Sequence, residues 1–167
     1  MTIADILTRR TVEGFTIGEH RLCALTISGG YSLSQEALLR YVGTAGVFIS
    51  ALDHKHQFGL ASPYDAEAEI RRVIQGKVIS RVDVSRETGD LTLHFDDGRI
   101  EIICTSAGYE AYQLNGPGNL IMIGRGGSEE NSEQSAAPNS RPPSDLPTSQ
   151  GVPTSDSQRT PSSGGCG

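Results

Sequence analysis

Residues 77–104 read KVISRVDVSRETGDLTLHFDDGRIEIIC, and this stretch decides the fold class. It holds three runs rich in apolar residues, Lys77–Val84, Leu91–Phe95 and Arg99–Cys104. Thr88-Gly89 and Asp97-Gly98 separate the runs, and both pairs are typical of turns. Alternation with a period of two predicts strands buried on one face, so we expect a meander of three antiparallel strands. In the first strand, one face should carry Val78, Ser80, Val82 and Val84.

More strands are predicted on both sides of the meander. Tyr109–Leu114 and Asn119–Ile123 flank Asn115–Gly118, a turn whose proline has no N–H to donate to a ladder. Towards the N-terminus, Arg21–Ile27 and Gly46–Leu52 also have the composition of strands. We therefore expect a sheet of about five or more strands.

Two helices are predicted to cover this sheet. The first places its apolar residues at helical spacing, Ala66, Ile70, Val73 and Ile74. Ser62 is its expected N-cap, Pro63 suits the first helical position, and Gly76 is a fitting stop. The second is a short helix over Ser34–Val42 (SQEALLRYV). Together, these strands and helices predict a small α+β domain over residues 1–127, in which one or two helices cover an antiparallel sheet.

The remaining residues, 128–167, have a different composition. They contain ten Ser, six of the eight Pro of the chain and no aromatic residue. So few apolar side chains cannot offset the conformational entropy that ordering would cost. We expect a disordered, acidic, Ser/Pro-rich tail.

Charge and cysteine content narrow the class of protein. The 167 residues include 14 Lys+Arg and 20 Asp+Glu, so the net charge is −6. An acidic chain repels phosphate, so no nucleic-acid partner is expected, and no apolar run is long enough to predict a membrane span. Met1–Arg10 lacks the apolar core of a secretory signal, and Cys23, Cys104 and Cys166 have no CxxC spacing. These features predict a reduced, cytoplasmic protein without a cofactor.

Two short motifs keep other functions open. His54 and His56 are two residues apart in Asp53-His-Lys-His56, so in a strand they would share one face. Two ligands do not make a metal site, so His20 or Asp53 would have to complete it. A pocket that contains His20, His54 or His56 beside a carboxylate would indicate a cryptic enzyme site. Gly126-Gly127 follows the last predicted strand, which is typical of a ubiquitin-like modifier precursor that exposes its diglycine after removal of the tail.

Residues 73–127 resemble the bacterial domain-of-unknown-function family DUF6188. The resemblance lies in five short motifs, Gly76–Val82, Gly89–Gly98, Tyr109–Tyr112, Gly116-Pro117 and Gly126-Gly127. Three features depart from the family pattern: Tyr112 replaces a Trp, Arg125 stands where a Pro is usual, and Ser34–Val42 looks like an insertion. Small domains of this style are similar to immunity proteins of bacterial toxin systems, which act by binding. The resemblance therefore implies a binding protein and no established activity.

The aromatic motif supplies the candidate binding residues Tyr109, Glu110 and Tyr112. Alternation predicts Glu110 and Tyr112 on one face of a strand, with Tyr109 and Ala111 on the other. A tyrosine offers an interface a large area, few rotamers and one hydroxyl. Equally, one tyrosine could complete the core and the glutamate could simply be solvated. The leading interpretation is a non-enzymatic module that binds a protein partner such as a toxin, with the modifier and the cryptic enzyme as alternatives.

Overall fold

The computed structural model describes residues 1–46, 48–105 and 109–126. Within them the chain forms two antiparallel sheets of five strands and two helices, α1 (Ile3–Leu7) and α2 (Ala66–Ile74). The strands are β1 (Val12–Ile17), β2 (Cys23–Ile27), β3 (Tyr31–Gln35), β4 (Leu38–Gly43), β5 (Phe48–Ser50), β6 (Arg81–Val84), β7 (Leu91–Phe95), β8 (Gly98–Ile103), β9 (Glu110–Gly116) and β10 (Leu120–Arg125). The predicted α+β class, mainly antiparallel sheet with one or two helices, is confirmed. The predicted tail, residues 128–167, lies outside the described residues.

Each sheet has a definite strand order. The first sheet runs β1-β2-β3-β9-β10 and the second runs β5-β4-β8-β7-β6. The predicted meander is confirmed, because β6, β7 and β8 are neighbours in that order. Side chains from both sheets and both helices form a single hydrophobic core, whose largest fully buried members include Phe15, Leu25, Leu33, Ile70 and Ile100.

The first meander strand is shorter than predicted, and the residues before it do not continue its alternation. It begins at Arg81, because the preceding residues bond to other parts of the chain. Val12 N donates to Lys77 O at 2.9 Å, and Ile79 N donates to Arg10 O at 2.8 Å. Ile79 and Val82 are therefore the buried residues, whereas Val78 is 51% and Val84 36% exposed. The predicted common face is wrong for Val78, because the segment changes its hydrogen-bonding partner before β6. Val84 stays on the face of Val82, since both lie opposite buried leucines of β7, but it is partly exposed at the end of the strand.

Helix α2 begins three residues later than the sequence predicts. Its N-cap is Asp65, whose side chain accepts from Ala68 N at 3.0 Å, so the predicted cap Ser62 and first helical residue Pro63 are wrong. The helix covers the outer edge of β1. Ile17 N donates to Glu67 Oε2 at 2.8 Å, and Arg71 Nε donates to Phe15 O at 3.1 Å. These side chains satisfy edge groups that would otherwise be open to another strand.

The predicted helix over Ser34–Val42 is wrong. The segment forms the end of β3, a bend and most of β4. In β4, Leu39 and Tyr41 are buried, which is strand alternation. Pairing of β3 with β2 and β9, and of β4 with β5 and β8, outweighs the modest helix preference of Gln, Glu, Ala and Leu.

Three elements had no counterpart in the sequence analysis, α1, β1 and β3. Helix α1 has a capping box, in which Asp5 N donates to Thr2 Oγ1 at 3.2 Å and Thr2 N donates to Asp5 Oδ2 at 2.8 Å. Neither of the two described helices is long and apolar enough to cross a membrane.

Candidate functional site

Two adjoining depressions, of about 230 and 330 Å³, lie at the end of the first sheet where β3 stops and β9 starts. Both are lined by Glu36, Glu110 and Ala111, so the two depressions adjoin at these three residues. Leu22 and Gln35 also line the first depression, and Tyr109 lines the second. We call the two depressions together the Tyr109 cleft.

Strand pairing explains where the Tyr109 cleft forms. Gln35, the last residue of β3, lies opposite Tyr112 of β9. Beyond this pair the two chains leave the ladder, Glu36 and Ala37 in a bend and Tyr109 in the approach to β9. The cleft lies between these two segments, and residues 106–108, which precede Tyr109, lie outside the described ranges.

A bulge in β9 separates the side chains of Glu110 and Tyr112. Tyr112 pairs with Gly124 of β10 and Glu110 pairs with Arg125, so Ala111 has no partner in the β10 register. An extra residue of this kind reverses the alternation on one side of it. Tyr112 is therefore buried, at 5% exposure, and Glu110 is exposed. The prediction that Glu110 and Tyr112 share a face is wrong, because the alternation is interrupted at Ala111.

Tyr112 is a packing residue. A Cβ on Gly124 would overlap its ring, so the ring lies directly over this glycine. Burial raises the pKa of the Tyr112 phenol to about 12, and nearby Cys104 and Asp90 act in the same direction. Of the three candidate binding residues, Tyr112 belongs to the core, which is the alternative that the sequence left open for one tyrosine.

Tyr109 and Glu110 remain available for binding. Tyr109 is 75% exposed, the second most exposed large hydrophobic side chain after Met1 among the described residues. Glu110 has Arg125 Nη2 at 3.9 Å from its Oε1, which is the outer limit of an ion pair. Its side chain is 59% exposed, so this pair is weak and the carboxylate keeps most of its capacity to accept hydrogen bonds.

Two polar residues of this site are not singled out by the sequence, the exposed Glu36 and the buried Gln35. Gln35 is 2% exposed, and neither Nε2 nor Oε1 has a partner at normal hydrogen-bond distance in the described part of the chain, although its amide lies near enough to the Cys23 thiol to oppose the rise in the pKa of that thiol. The thiol of Cys23, its register partner on β2, donates to Arg21 O at 3.6 Å. A buried carboxamide without partners is costly and uncommon. Alternation of Leu33 and Gln35 was the available signal, and it was obscured by the helical interpretation of this segment.

The three histidines that the sequence singled out have different local surroundings in the described part of the chain. His54 Nδ1 accepts from Glu67 N at 3.4 Å and lies 3.6 Å from Asp65 Oδ1, so it supports the start of α2. His56 packs against Phe58, with ring centroids 5.3 Å apart, and His20 has a positive φ in a turn. In residues 1–46, 48–105 and 109–126, no group of three or more His, Cys, Asp or Glu could hold a metal ion.

The thiols and the diglycine complete the set of predicted features. Burial raises the pKa of Cys23 and of Cys104 to about 11, which suppresses the reactive thiolate. Gly126 is buried just after the end of β10, and Gly127 lies outside the described residues, so the diglycine prediction stays a prediction.

Comparison with known proteins adds no assignment. No protein-family model, no curated protein and no solved structure matches this chain. The chemistry of the Tyr109 cleft is therefore the basis on which a function can be argued.

Proposed function

We propose that this protein is a non-enzymatic binding module that recognises a protein partner through the Tyr109 cleft. One observation carries the proposal: Tyr109, at 75% exposure, stands beside Glu110 over a cleft that is open among the described residues. An exposed aromatic ring next to a concave, partly apolar surface is the composition of a binding hot spot. The proposal rests on these residues and on no relative.

The chemistry of the cleft supports binding over catalysis. Its lining combines two exposed carboxylates, the amides of Gln35 and Gln113, the hydroxyl residues Ser34 and Thr105, two tyrosines and apolar surface, without a histidine or a cysteine. A nucleophile or general base would need a partner within hydrogen-bonding reach, and the described thiols are buried with raised pKa values. The proposed role is therefore recognition.

Three finer points belong to the same proposal. Membership of the DUF6188 family and an immunity-like role against a toxin remain predictions from the sequence motifs. The cytoplasmic location also remains a proposal, and it is supported by Cys23 and Cys104, which the described structure leaves as free thiols.

The test is a capture experiment with matched variants of the full chain. Native lysate is passed over wild-type protein, over Tyr109→Ala and Glu110→Lys, and over Glu87→Lys as the control. Glu87 is an exposed residue outside the cleft and between β6 and β7, so its substitution makes the same charge change away from the cleft. We expect one stoichiometric partner that binds wild type and Glu87→Lys and is lost from the two cleft variants.

Two results would contradict the proposal. A partner retained equally by all variants would place the binding surface elsewhere. Recovery of no partner, with intact mass showing a chain that ends at Gly127, would favour the modifier alternative instead.

A further inference from the structure

We propose that the outer edge of β10 pairs with β10 of a second copy of this chain, as an antiparallel strand pair across a two-fold axis. The inference goes beyond the proposed function and does not depend on the Tyr109 cleft. It joins the five-stranded first sheets of two copies edge to edge. Three observations support it: a strand edge that no described residue covers, isoleucines at solvent-facing positions of that edge, and a charge pattern that suits self-pairing.

Strand β10 is an open edge of the first sheet. It has six residues, Leu120–Arg125, and it pairs with β9. No described residue outside β9 forms a backbone hydrogen bond with residues 120–124. The β6–β7 turn approaches the end of the strand, where a Cβ on Gly89 would meet the carbonyl of Arg125. Such an edge presents unpaired N–H and C=O groups with which another strand can pair.

The other three edges of the two described sheets are protected. The β1 edge is covered by α2, whose Glu67 and Arg71 bond to its backbone. Strand β6 carries Arg81 and Asp83, which form an ion pair at 2.8 Å, and charged side chains oppose the addition of a strand. Strand β5 has only three residues, Phe48–Ser50. Because the other edges are protected, pairing through β10 closes at two copies and leaves no described edge for further growth.

The outer face of the first sheet carries large apolar side chains at β10 and not on the strands inside it. Two rows of register partners cross this face, Ile121-Asn115-Ser32-Thr26-Gly14 and Ile123-Gln113-Ser34-Ala24-Thr16. Ile121 and Ile123 are half-buried, and neither belongs to the hydrophobic core of the described residues. They are therefore placed to pack against side chains of a strand that adds at this edge.

The charge pattern of β10 suits a second copy of the same strand in antiparallel orientation. Residues 120–124 (LIMIG) carry no charge, so they do not select a charged partner strand. A two-fold axis at Met122 places Ile121 of each copy opposite Ile123 of the other, which gives two apolar pairs on the outer face. Arg125 then meets no second arginine, whereas a parallel pair in register would place the two Arg125 side chains next to each other. The composition of the strand therefore favours the antiparallel pair.

Sedimentation equilibrium of the full chain over a range of concentrations measures the self-association. We expect a monomer–dimer equilibrium for the wild type. Ile123→Lys puts a charge into the strand pair, and the two-fold axis doubles each lost contact, so the dissociation constant should rise at least about tenfold. Thr26→Lys is the matched control, because Thr26 is exposed on the same face of the sheet but lies on the interior strand β2. It should leave the dissociation constant unchanged.

Hydrogen exchange of the wild-type chain, followed by NMR, is a second measurement that needs no variant. Alternate amides of β10 point away from β9 and have no described partner. These amides should be protected at high protein concentration and should exchange after dilution. The amides that β9 and β10 share should keep their protection at both concentrations. Isotope-filtered NOEs between Ile121 and Ile123 of differently labelled copies should then locate the pairing.

Four results would overturn the inference. A monomer with exchanging β10 amides at every concentration would mean that the edge does not self-associate. Protection of these amides in the monomer would mean that another part of the chain covers the edge. A dimer that responds equally to Ile123→Lys and Thr26→Lys would place the interface elsewhere, and species larger than a dimer would mean that the assembly does not close. The capture experiment on the Tyr109 cleft is read separately, because its variants lie outside β10.

Discussion

The ring of Tyr112 lies over Gly124, its register partner on the neighbouring strand β10. The glycine leaves room for the ring, and the ring covers backbone that a glycine would leave bare. The same pair sits beside the bulge at Ala111, which turns Glu110 outward into the Tyr109 cleft. The contact between Tyr112 and Gly124 thus packs the core, and the adjacent bulge at Ala111 exposes Glu110 at the candidate site.

Gly124→Ala should destabilise the protein by about 1 to 3 kcal/mol, because the added Cβ would overlap the Tyr112 ring. Gly14→Ala is the matched control, since a Cβ there meets nothing closer than 3.8 Å. A strand glycine of that kind should tolerate alanine or gain about 0.5 to 1 kcal/mol. Urea unfolding of both variants is the measurement, and equal stabilities would contradict the packing described for Tyr112.

Asp65→Ala should cost about 0.5 to 2 kcal/mol, because Asp65 accepts the Ala68 N–H at the start of α2. Ser62→Ala should have no measurable effect, since Ser62 is exposed and lies before the helix. The comparison is made by chemical denaturation. A larger loss from Ser62→Ala would restore the helix start that the sequence predicted.

Gln35→Leu should stabilise the free protein by about 1 to 3 kcal/mol, because it removes a buried amide that no described residue satisfies. Gln113→Leu is the control on the adjacent strand, where Gln113 Nε2 donates to Asn115 Oδ1 at 2.7 Å. That change should be neutral or mildly destabilising. Thermal unfolding decides between them, and a less stable Gln35→Leu protein would mean that the amide has a structural role.

Tyr112 should make stability fall at high pH. Burial raises the pKa of its phenol from 10.0 to about 12, so the folded state favours the neutral form. The stabilisation is complete below pH 10 and is lost as the pH rises towards 12, a change of about 2 to 3 kcal/mol. Urea unfolding of wild type and of Tyr112→Phe across this range measures it. If both proteins lose stability in parallel, Tyr112 does not titrate as described.

Cys23 and Cys104 should react slowly with iodoacetamide in the native protein. Their pKa values are raised from 9.0 to about 11 by burial, so less thiolate is present near neutral pH. Ionisation alone should slow alkylation by at least about tenfold relative to the urea-unfolded chain. Peptide mapping in a Cys166→Ser background follows each thiol separately. Rapid native alkylation of either thiol would reopen the possibility of a reactive cysteine.

Local patterns were sufficient where neighbours in sequence are also neighbours in the fold. The meander was predictable because Asp97-Gly98 forces a tight turn between two alternating runs. The Ser34–Val42 segment was not, because its strands pair with β8 and β9, more than 50 residues away in the chain. Helix propensities differ by less than the packing energy of such a pairing.

The residues of the candidate site were likewise predictable only in part. The aromatic and acidic character of Tyr109 and Glu110 was visible in the sequence. Glu36 and Gln35 were not recognised, because they reach the cleft only through the pairing of β3 with β9. Simple alternation places Tyr112 and Glu110 on one face, because it cannot reveal the bulge between them.

By itself, the sequence determined the antiparallel class, the meander and the α2 stripe, since each depends on side-chain periodicity and turn chemistry within a few residues. The tertiary structure alone decided which strands flank β3, which tyrosine is buried and which polar groups meet in the Tyr109 cleft. The physical reason is that these outcomes depend on long-range pairing and on competition for core volume. A local sequence pattern contains no information about long-range pairing or about competition for core volume.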